Sequence, residues 1–264
     1  MNKKELLDRC ARSGEERMLL ARALDKLELA QDRGVPAHTP FLSPGERASV
    51  AGLLSAWGRP RHLFLGGYPD SERCVCLFLP DWMEEDAAAP EEILAAVQAK
   101  FPPEAGLTHR DILGSLMGLG ITREVLGDIL LPAPGVCQGV VLRDSLPILL
   151  SQWEGAGRWR SRFEELPLDR LTPAPARVRT IRDTVATPRL DAVLAAGFSL
   201  SRSKAAAHIS AGRVAVNHRD CLKGDRTVEE GDVLTCRGLG KCVVKEVPGQ
   251  SKKGRTMLVL ERYL

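Results

Sequence analysis

Two cations stand where the sequence predicts that a helix begins. Ser201 has the residue type of an N-cap, and Arg202 and Lys204 follow it in the first helical turn. The positive end of a helix dipole disfavours a cation there by about 0.3 to 1 kcal/mol each. A phosphate would offset this cost, because the free N–H groups at a helix start favour an anion and neighbouring cations strengthen the site. The spacing indicates phosphate binding; the alternative is a solvated basic surface.

The flanking sequence predicts two short helices and a strand to hold these cations. Apolar residues three and four apart predict a helix over 189–196, which we expect to end at Gly197. A second helix is expected over 201–211, with Gly212 as its C-terminal stop. Residues 213–217 then alternate between apolar and polar types, as a half-buried strand does. The result is a compact two-helix unit beside a sheet.

Further candidate contacts continue along the strands and loops that follow this unit. Arg237 and Lys241 bracket a Gly-Leu-Gly loop that could approach an RNA backbone closely. We expect Ser203 and Asn217 to be neutral hydrogen-bond partners. The residues expected to contact phosphates are Arg189, Arg202, Lys204, Arg213, Lys223, Arg237 and Lys241.

The charge of the chain is unevenly distributed along its 264 residues. Residues 177–264 hold 17 Lys and Arg against 9 Asp and Glu, whereas residues 1–176 hold 20 against 25. A basic end on a mildly acidic body is typical of a nucleic-acid-binding module joined to another domain.

The run RLDAVLAAGFSLSRSKAAAHISAGRVAVN, followed by VEEGDVLTCRGLGK, resembles a known RNA-binding domain. It is the domain first seen in the fourth small-subunit ribosomal protein, called here the S-four domain. The order R-L-D, S-R-S-x-A and G-R-V-x-V-N carries the resemblance. Such domains occur in rRNA-binding proteins, pseudouridine synthases and tyrosyl-tRNA synthetases, so the resemblance implies a binding module.

A second stretch, THRDILGSLMGLGITREVLGDIL, together with the earlier GGYPDSERCVCLFLP, resembles the YlmH family. This resemblance implies a ribonucleoprotein-like middle domain before a C-terminal S-four domain, and association with the ribosome. The S-four domains of this family are similar to those of small proteins that hold stalled large subunits in ribosome-associated quality control. Some members are linked to cell division.

The expected fold class is α+β, in three parts. We predict a helical N-terminal region over 1–58, a mixed α/β middle domain over 59–170 and an S-four-type domain over 177–264. We predict helices over 3–32 with a break at 13–16, and over 45–57, 91–99, 111–119 and 145–153. Strands are predicted over 62–65, 74–79, 129–131, 139–142, 159–164, 233–236, 241–247 and 257–261. We also predict a hinge over 167–175 and a basic hairpin tip over 251–255.

An RNA-modifying enzyme is the main alternative function. An R-L-D tripeptide also carries the catalytic aspartate of pseudouridine synthases, but only 73 residues follow Asp191, too few for their catalytic domain. We therefore expect Asp191 to cap or brace the first helix while Arg189 faces RNA. A different active site in the middle domain would use His109, Arg110, Asp111 and Asp128. A protein adaptor for cell division is the third hypothesis.

The cysteines do not suggest a metal centre. The chain has 7 cysteines without a C-x-x-C pair, which favours reduced thiols in a cytoplasm. The candidate ligands of a zinc site are His208, His218, Cys221, Cys236 and Cys242. Their spacings lack the close ligand pairs that zinc sites use. With no signal peptide and no apolar run long enough to span a membrane, we expect a cytoplasmic, non-enzymatic monomer without cofactor or metal that binds rRNA or tRNA, on the large ribosomal subunit.

Overall fold

The computed structural model of the protein describes residues 2–173, 177–251 and 254–263. The chain folds into two compact units, Met1–Ala174 and Pro175–Leu264. The fold is α+β, with helices at the N-terminus, a sheet-containing middle and a C-terminal unit of two helices on a sheet. The predicted fold class is confirmed, and the division into three domains stays a prediction.

The front of the first unit is helical, as the sequence predicts. Its elements are α1 (Lys3–Cys10), α2 (Gly14–Arg33), β1 (Ala37–His38), α3 (Pro44–Trp57), β2 (His62–Leu65) and β3 (Val75–Phe78). Ser13 caps α2 by accepting a hydrogen bond from the backbone of Glu16, so the predicted break is confirmed. Buried leucines of the helices share a core with Cys76 and Phe78 of β3.

The rest of the first unit is built around an antiparallel sheet. Its elements are α4 (Pro90–Ile93), β4 (Leu94–Lys100), α5 (His109–Gly118), β5 (Leu126–Ala133), β6 (Val136–Leu142), α6 (Leu146–Gln152), β7 (Gly155–Ala156), β8 (Trp159–Arg160) and β9 (Glu164–Leu166). Over residues 2–173, the larger sheet has four strands in the order β5-β6-β4-β9, and β7 and β8 form a separate hairpin. Helices α5 and α6 confirm the predictions over 111–119 and 145–153.

The helix predicted over 91–99 is wrong, because this segment is the strand β4 after a single helical turn. Ala95 and Val97 pack in the core beneath α5 and α6, while Leu94 and Ala96 pack in a second core on the other face. A strand covered on both faces loses the polar alternation that normally identifies it. Its alanines and leucine then resemble a helix.

The strand predicted over 159–164 is also wrong in its extent. The structure divides it into β8 and β9, and Phe163 between them is buried against Trp153, with ring centroids 3.9 Å apart. The predicted hinge over 167–175 begins with a short 3-10 turn at Leu168–Arg170 and ends outside the described residues.

The second unit contains β10 (Val178–Val185), α7 (Leu190–Phe198), α8 (Arg202–Ser210), β11 (Val214–Val216), β12 (Arg219–Asp220), β13 (Val233–Cys236), β14 (Gly240–Gln250) and β15 (Thr256–Tyr263). Across residues 177–251 and 254–263, the strands form an antiparallel six-stranded sheet in the order β10-β15-β14-β13-β11-β12. The predicted strands are confirmed, and β10 is a further edge strand that was not predicted. The predicted tip over 251–255 includes residues outside the described ranges.

Helix α7 does not end at Gly197, contrary to the prediction. It continues to Phe198, and Ser199 terminates it with a left-handed backbone, φ 55°. Gly197 is needed for close packing instead: a Cβ there would lie 2.8 Å from Cys242 Sγ. The sheet can therefore approach α7 more closely than a larger residue would allow.

Candidate nucleic-acid interface

Asp191, in the first turn of α7, gathers two of the predicted arginines. Nη2 of Arg189 lies 3.1 Å from Asp191 Oδ2, and Nη2 of Arg202 lies 3.3 Å from both carboxylate oxygens. The Asp191 side chain is 14% exposed, whereas those of Arg189 and Arg202 are 44% and 62% exposed. The carboxylate therefore braces the starts of α7 and α8 together, and the guanidinium groups remain open to solvent.

The pKa of Asp191 reflects these contacts. Burial alone would raise it, but hydrogen bonds from Arg189 and Arg202 and their positive charges outweigh burial and hold the pKa below its ordinary value. The carboxylate is therefore ionised at neutral pH and keeps both arginines in place.

This brace corrects one expectation from the sequence. The cost of a cation at the start of α8 is offset for Arg202 by the protein's own Asp191, so the pairing removes the need for an external phosphate. Two arginines on one carboxylate still leave a net positive charge, and each guanidinium has more N–H donors than the pair uses. Lys204 is exposed, and within the described residues no carboxylate lies within ion-pair distance of it.

The start of α8 also presents polar groups. Ser201 accepts a hydrogen bond from the backbone N–H of Lys204 at 3.3 Å, which confirms it as the N-cap. The backbone N–H groups of Arg202 and Ser203 have no carbonyl partner within the helix, as at any helix start. Ser203 Oγ lies 3.0 Å from Ser201 Oγ on the same exposed turn.

A loop beside α7 adds a further cation. The backbone N–H of Asp191 donates to the carbonyl of Gly224 at 3.0 Å, which holds the loop over 221–226 against the helix start. Lys223 is exposed on this loop. We call the resulting group the Asp191 cluster: Arg189, Arg202, Ser203, Lys204 and Lys223 around Asp191.

Arg213 and Arg237 form a second basic group at the other end of α8. The backbone N–H of Arg237 donates to the carbonyl of Arg213 at 2.8 Å, and both residues are exposed. The Arg213 N–H in turn donates to His208 in α8. At 1.5 Å per residue, the nine residues of α8 span about 14 Å, so the helix separates the two groups by about that distance.

Two of the residues predicted to contact RNA have partners within the protein. Asn217 turns the chain between β11 and β12 at φ 52°, its amide nitrogen donates to Asp232 at 2.6 Å, and its oxygen accepts from the backbone of Val233. Lys241 Nζ lies 4.1 Å from the ring centroid of Tyr263 on the sheet. Their contacts with RNA stay predictions, but neither belongs to the Asp191 cluster.

Two residues of the alternative active site, Asp111 and Asp128, have structural contacts, whereas His109 and Arg110 are exposed at the start of α5. Asp111 accepts hydrogen bonds from Thr108 and caps α5. Asp128 accepts from the Tyr68 hydroxyl at 2.6 Å and from the backbone N–H groups of Glu72 and Arg73. These bonds anchor the loop before β3 to β5.

The cysteines of the zinc alternative belong to the core. Cys221, Cys236 and Cys242 are buried in the C-terminal unit, and burial raises the pKa of Cys242 to about 11. Among the described residues there is no group of three or more His, Cys, Asp or Glu that could hold a metal ion. Nor does any helix there have the length and apolar character to cross a membrane.

Three family models match the chain. The S4 domain, which is the S-four domain above, matches residues 188–234 and so includes the Asp191 cluster, whereas Arg237 and Lys241 lie beyond it. The model "Putative RNA-binding domain in YlmH" matches residues 94–169, and "YlmH, N-terminal" matches residues 15–80.

The two helices, the sheet and the basic helix start place the protein among the RNA-binding proteins that carry an S-four domain. The models for the first unit are specific to one family and together match more than half of the chain. The chain belongs to the YlmH family.

The chain is also similar to two known proteins. The chain is 29% identical over 249 residues to "Ribosome-associated protein quality control protein P2" of Bacillus subtilis (strain 168), across 94% of this chain and 95% of that protein. A solved structure, "Cell division protein ylmH from Streptococcus pneumoniae", is similar with a TM-score of 0.52 and 21% identity, across 60% of this chain and 95% of that one. At that identity the second likeness shows the fold alone.

Proposed function

We propose that this protein binds structured rRNA or tRNA through its S-four domain and acts on large ribosomal subunits in the quality control of stalled translation. The protein is not an enzyme in this proposal, and it works as a cytoplasmic monomer. The name of the Bacillus subtilis relative supports the ribosomal setting.

The observation that carries the proposal is the Asp191 cluster within the S-four segment. Arg189, which immediately precedes α7, and Arg202, in the first turn of α8, are fixed by a common carboxylate and expose their guanidinium groups. Arginines fixed in this way are suited to bidentate contact with phosphates. The open N–H groups at the start of α8 add to the same surface.

Shape rather than sequence should determine which RNA is bound. Phosphate contacts position a protein without reading bases, and double-stranded RNA is recognised mainly by its backbone geometry. The two basic groups at opposite ends of α8 fit such an extended contact.

The double variant R202A/K204A tests the proposal. We expect it to lower the affinity for purified large subunits and to flatten the dependence of log K on log salt by about 0.7 to 0.9 for each phosphate that the variant no longer neutralises. The measurement is a filter-binding titration at several salt concentrations. Sedimentation through a sucrose gradient then shows whether the wild type travels with large subunits.

The variant R179A/R182A is the matched control, because it removes two exposed arginines from β10, which lies outside the residues 188–234 that match the S4 domain. It should bind nearly as the wild type does. Equal affinity and slope for R202A/K204A and the wild type would contradict the proposal.

A further inference from the structure

A basic hairpin stands out in the otherwise acidic middle of the first unit. Residues 94–169 hold 7 Lys and Arg against 9 Asp and Glu, yet three of those cations, Arg158, Arg160 and Arg162, fall within five residues. All three are exposed. We call residues 154–162, which contain β7 and β8, the Trp159 hairpin.

The structure holds this hairpin firmly in place. Ala156 pairs with Trp159, and both pack against the core beneath α5 and α6. Gly155 has φ +131°, and a Cβ there would lie 2.0 Å from the carbonyl oxygen of Trp159, so the tight turn requires glycine. Ser161 donates to the carbonyl of Lys100 at 2.8 Å and ties the hairpin to the end of β4.

An aromatic ring and a cation meet at the surface of this hairpin. Trp159 is half-buried, and the guanidinium carbon of Arg158 lies 5.0 Å from the centroid of its ring. A cleft of about 400 Å³ opens beside them, with Arg160, Ser115 and Gln152 also in its wall. The Arg158 guanidinium covers the ring in this structure, and a base can take its place, because single-stranded nucleic acids stack their bases on aromatic side chains beside arginines.

Glu154, the acidic residue of the Trp159 hairpin, does not neutralise its positive charge. Glu154 pairs with Arg160, but their side chains are 67% and 81% exposed, and an exposed pair of this kind is weak. With Glu154 counted, the Trp159 hairpin has a net charge of +2. A phosphate can therefore replace the carboxylate as the partner of Arg160.

The sheet of this domain offers no comparable platform at its centre. Both faces of β4 are covered by the two cores described above. Bases could not stack on this strand as they do on the open sheet of an RNA recognition motif. Contact with RNA has to come from the periphery of the domain.

We propose that the Trp159 hairpin binds an unpaired segment of RNA. One base displaces the Arg158 guanidinium from the Trp159 ring and stacks there, and Arg158, Arg160 and Arg162 contact the adjoining phosphates. This inference rests on the proposed RNA-binding function and gives the protein a second contact, separate from the Asp191 cluster.

The test is a fluorescence-anisotropy titration of the full chain with a labelled oligouridylate of about 12 nucleotides, which is within the site sizes of single-strand platforms. We expect R158A/R160A/R162A to lower the slope of log K against log salt by about 2, at about 0.7 per phosphate contact. Trp159→Ala should weaken binding by about 5-fold to 100-fold, the usual range when a base loses its aromatic stacking partner.

Two controls separate contact from a general loss of charge or fold. R9A/R12A/R33A removes three exposed arginines from the region of α1 and α2 and should bind as the wild type does. Trp159→Phe keeps an aromatic ring, so its affinity should be closer to that of the wild type than to that of Trp159→Ala. Ultraviolet cross-linking should place the nucleotide adduct on the peptide that contains Trp159.

The two proposals fail in different ways. If R158A/R160A/R162A matches the wild type, or binds no more weakly than R9A/R12A/R33A, the hairpin proposal is overturned and binding of large subunits through the Asp191 cluster still stands. If R202A/K204A also leaves subunit binding unchanged, the proposed function itself fails. An adduct on peptides outside residues 154–162 alone would likewise overturn the hairpin proposal.

Discussion

Asp191 links the stability of the C-terminal unit to its basic surface. Its pKa is lowered in the folded protein, so the stabilisation it provides is present above the ordinary carboxyl pKa and is lost as the pH falls through the folded value. We expect Asp191→Asn to lower the free energy of unfolding of this unit by about 1 kcal/mol at neutral pH. The deficit should shrink below about pH 4. Hydrogen exchange of residues 177–251, measured across this range, checks the prediction.

Asp183 is the matched control for this experiment. Its carboxylate accepts a hydrogen bond from the backbone of the adjacent Thr184, and its side chain is exposed. At neutral pH, Asp183→Asn should lower the free energy of unfolding by less than Asp191→Asn does. A deficit in Asp191→Asn that persists unchanged to about pH 2 would argue against an ionised brace.

Gly197 shows how a single missing side chain sets a helix–sheet distance. Gly197→Ala gains up to about 1 kcal/mol in helix propensity, but its Cβ would lie 2.8 Å from Cys242 Sγ. Overpacking of this kind typically costs about 1 to 3 kcal/mol. We therefore expect Gly197→Ala to lower the free energy of unfolding of the C-terminal unit. Hydrogen exchange of that unit, measured as the temperature is raised, can detect this loss.

Gly114→Ala in α5 separates the gain in helix propensity from the cost of overpacking. A Cβ at Gly114 has nothing within 4 Å, so the same substitution there should stabilise the first unit by up to about 1 kcal/mol. Adding Cys242→Ala to Gly197→Ala should recover part of the loss. Stabilisation by Gly197→Ala alone would show that the sheet and α7 can separate at little cost.

At the scale of elements, the helix N-caps could be predicted from the sequence, whereas the buried strand β4 could not. Ser13 and Ser201 lie where short polar side chains satisfy helix N–H groups, and both helices start beside them. These signals are local. The character of β4 depends on what covers its second face, which includes Phe41 and Val75 from distant parts of the chain. No local pattern contains that information.

The candidate site shows the same limit. The residue types and the helix start that hold Arg202 were predictable, but its partner lies eleven residues earlier, across the turn between α7 and α8. Residues 158–162 have the sequence R-W-R-S-R, but only a strand over 159–164 was predicted there, because the exposure of these side chains and the cleft beside them are created by the fold. Chemistry carried by one segment could be predicted, whereas contacts between segments required the structure.

The segment that ends the first unit is held to its sheet by a buried amide. Gln138 is 3% exposed; its oxygen accepts from the backbone of Thr172 at 2.8 Å, and its nitrogen donates to Gln98 at 3.1 Å. Gln138→Leu leaves these groups unpaired, which costs about 1 to 3 kcal/mol. We expect faster hydrogen exchange at Thr172 and lower stability of the first unit.

Gln31, exposed in α2, offers the control substitution Gln31→Leu. It removes the same kind of side chain without breaking a buried hydrogen bond, so exchange at Thr172 should stay as in the wild type. Equal exchange in Gln138→Leu and the wild type would mean that the sheet holds this segment without the amide.

At the scale of the whole molecule, charge and packing divide the chain at the same place. The core of the C-terminal unit consists of residues from Val185 onward, while the cores of the first unit end at Leu171. The basic residues concentrate after 177 and the acidic excess lies before it. We therefore expect most of the electrostatic attraction to RNA to come from one independently packed unit.

This expectation can be tested with the fragments 1–173 and 177–264. Fragment 177–264 should keep most of the binding free energy of the full chain for large subunits, because it holds 17 Lys and Arg against 9 Asp and Glu. Fragment 1–173 should bind weakly, since its only proposed RNA contact is the Trp159 hairpin and its net charge is negative. If the hairpin engages RNA, the salt slope of the full chain should exceed that of fragment 177–264 by about 2. Equal affinity of fragment 1–173 and the full chain would instead assign recognition to the first unit.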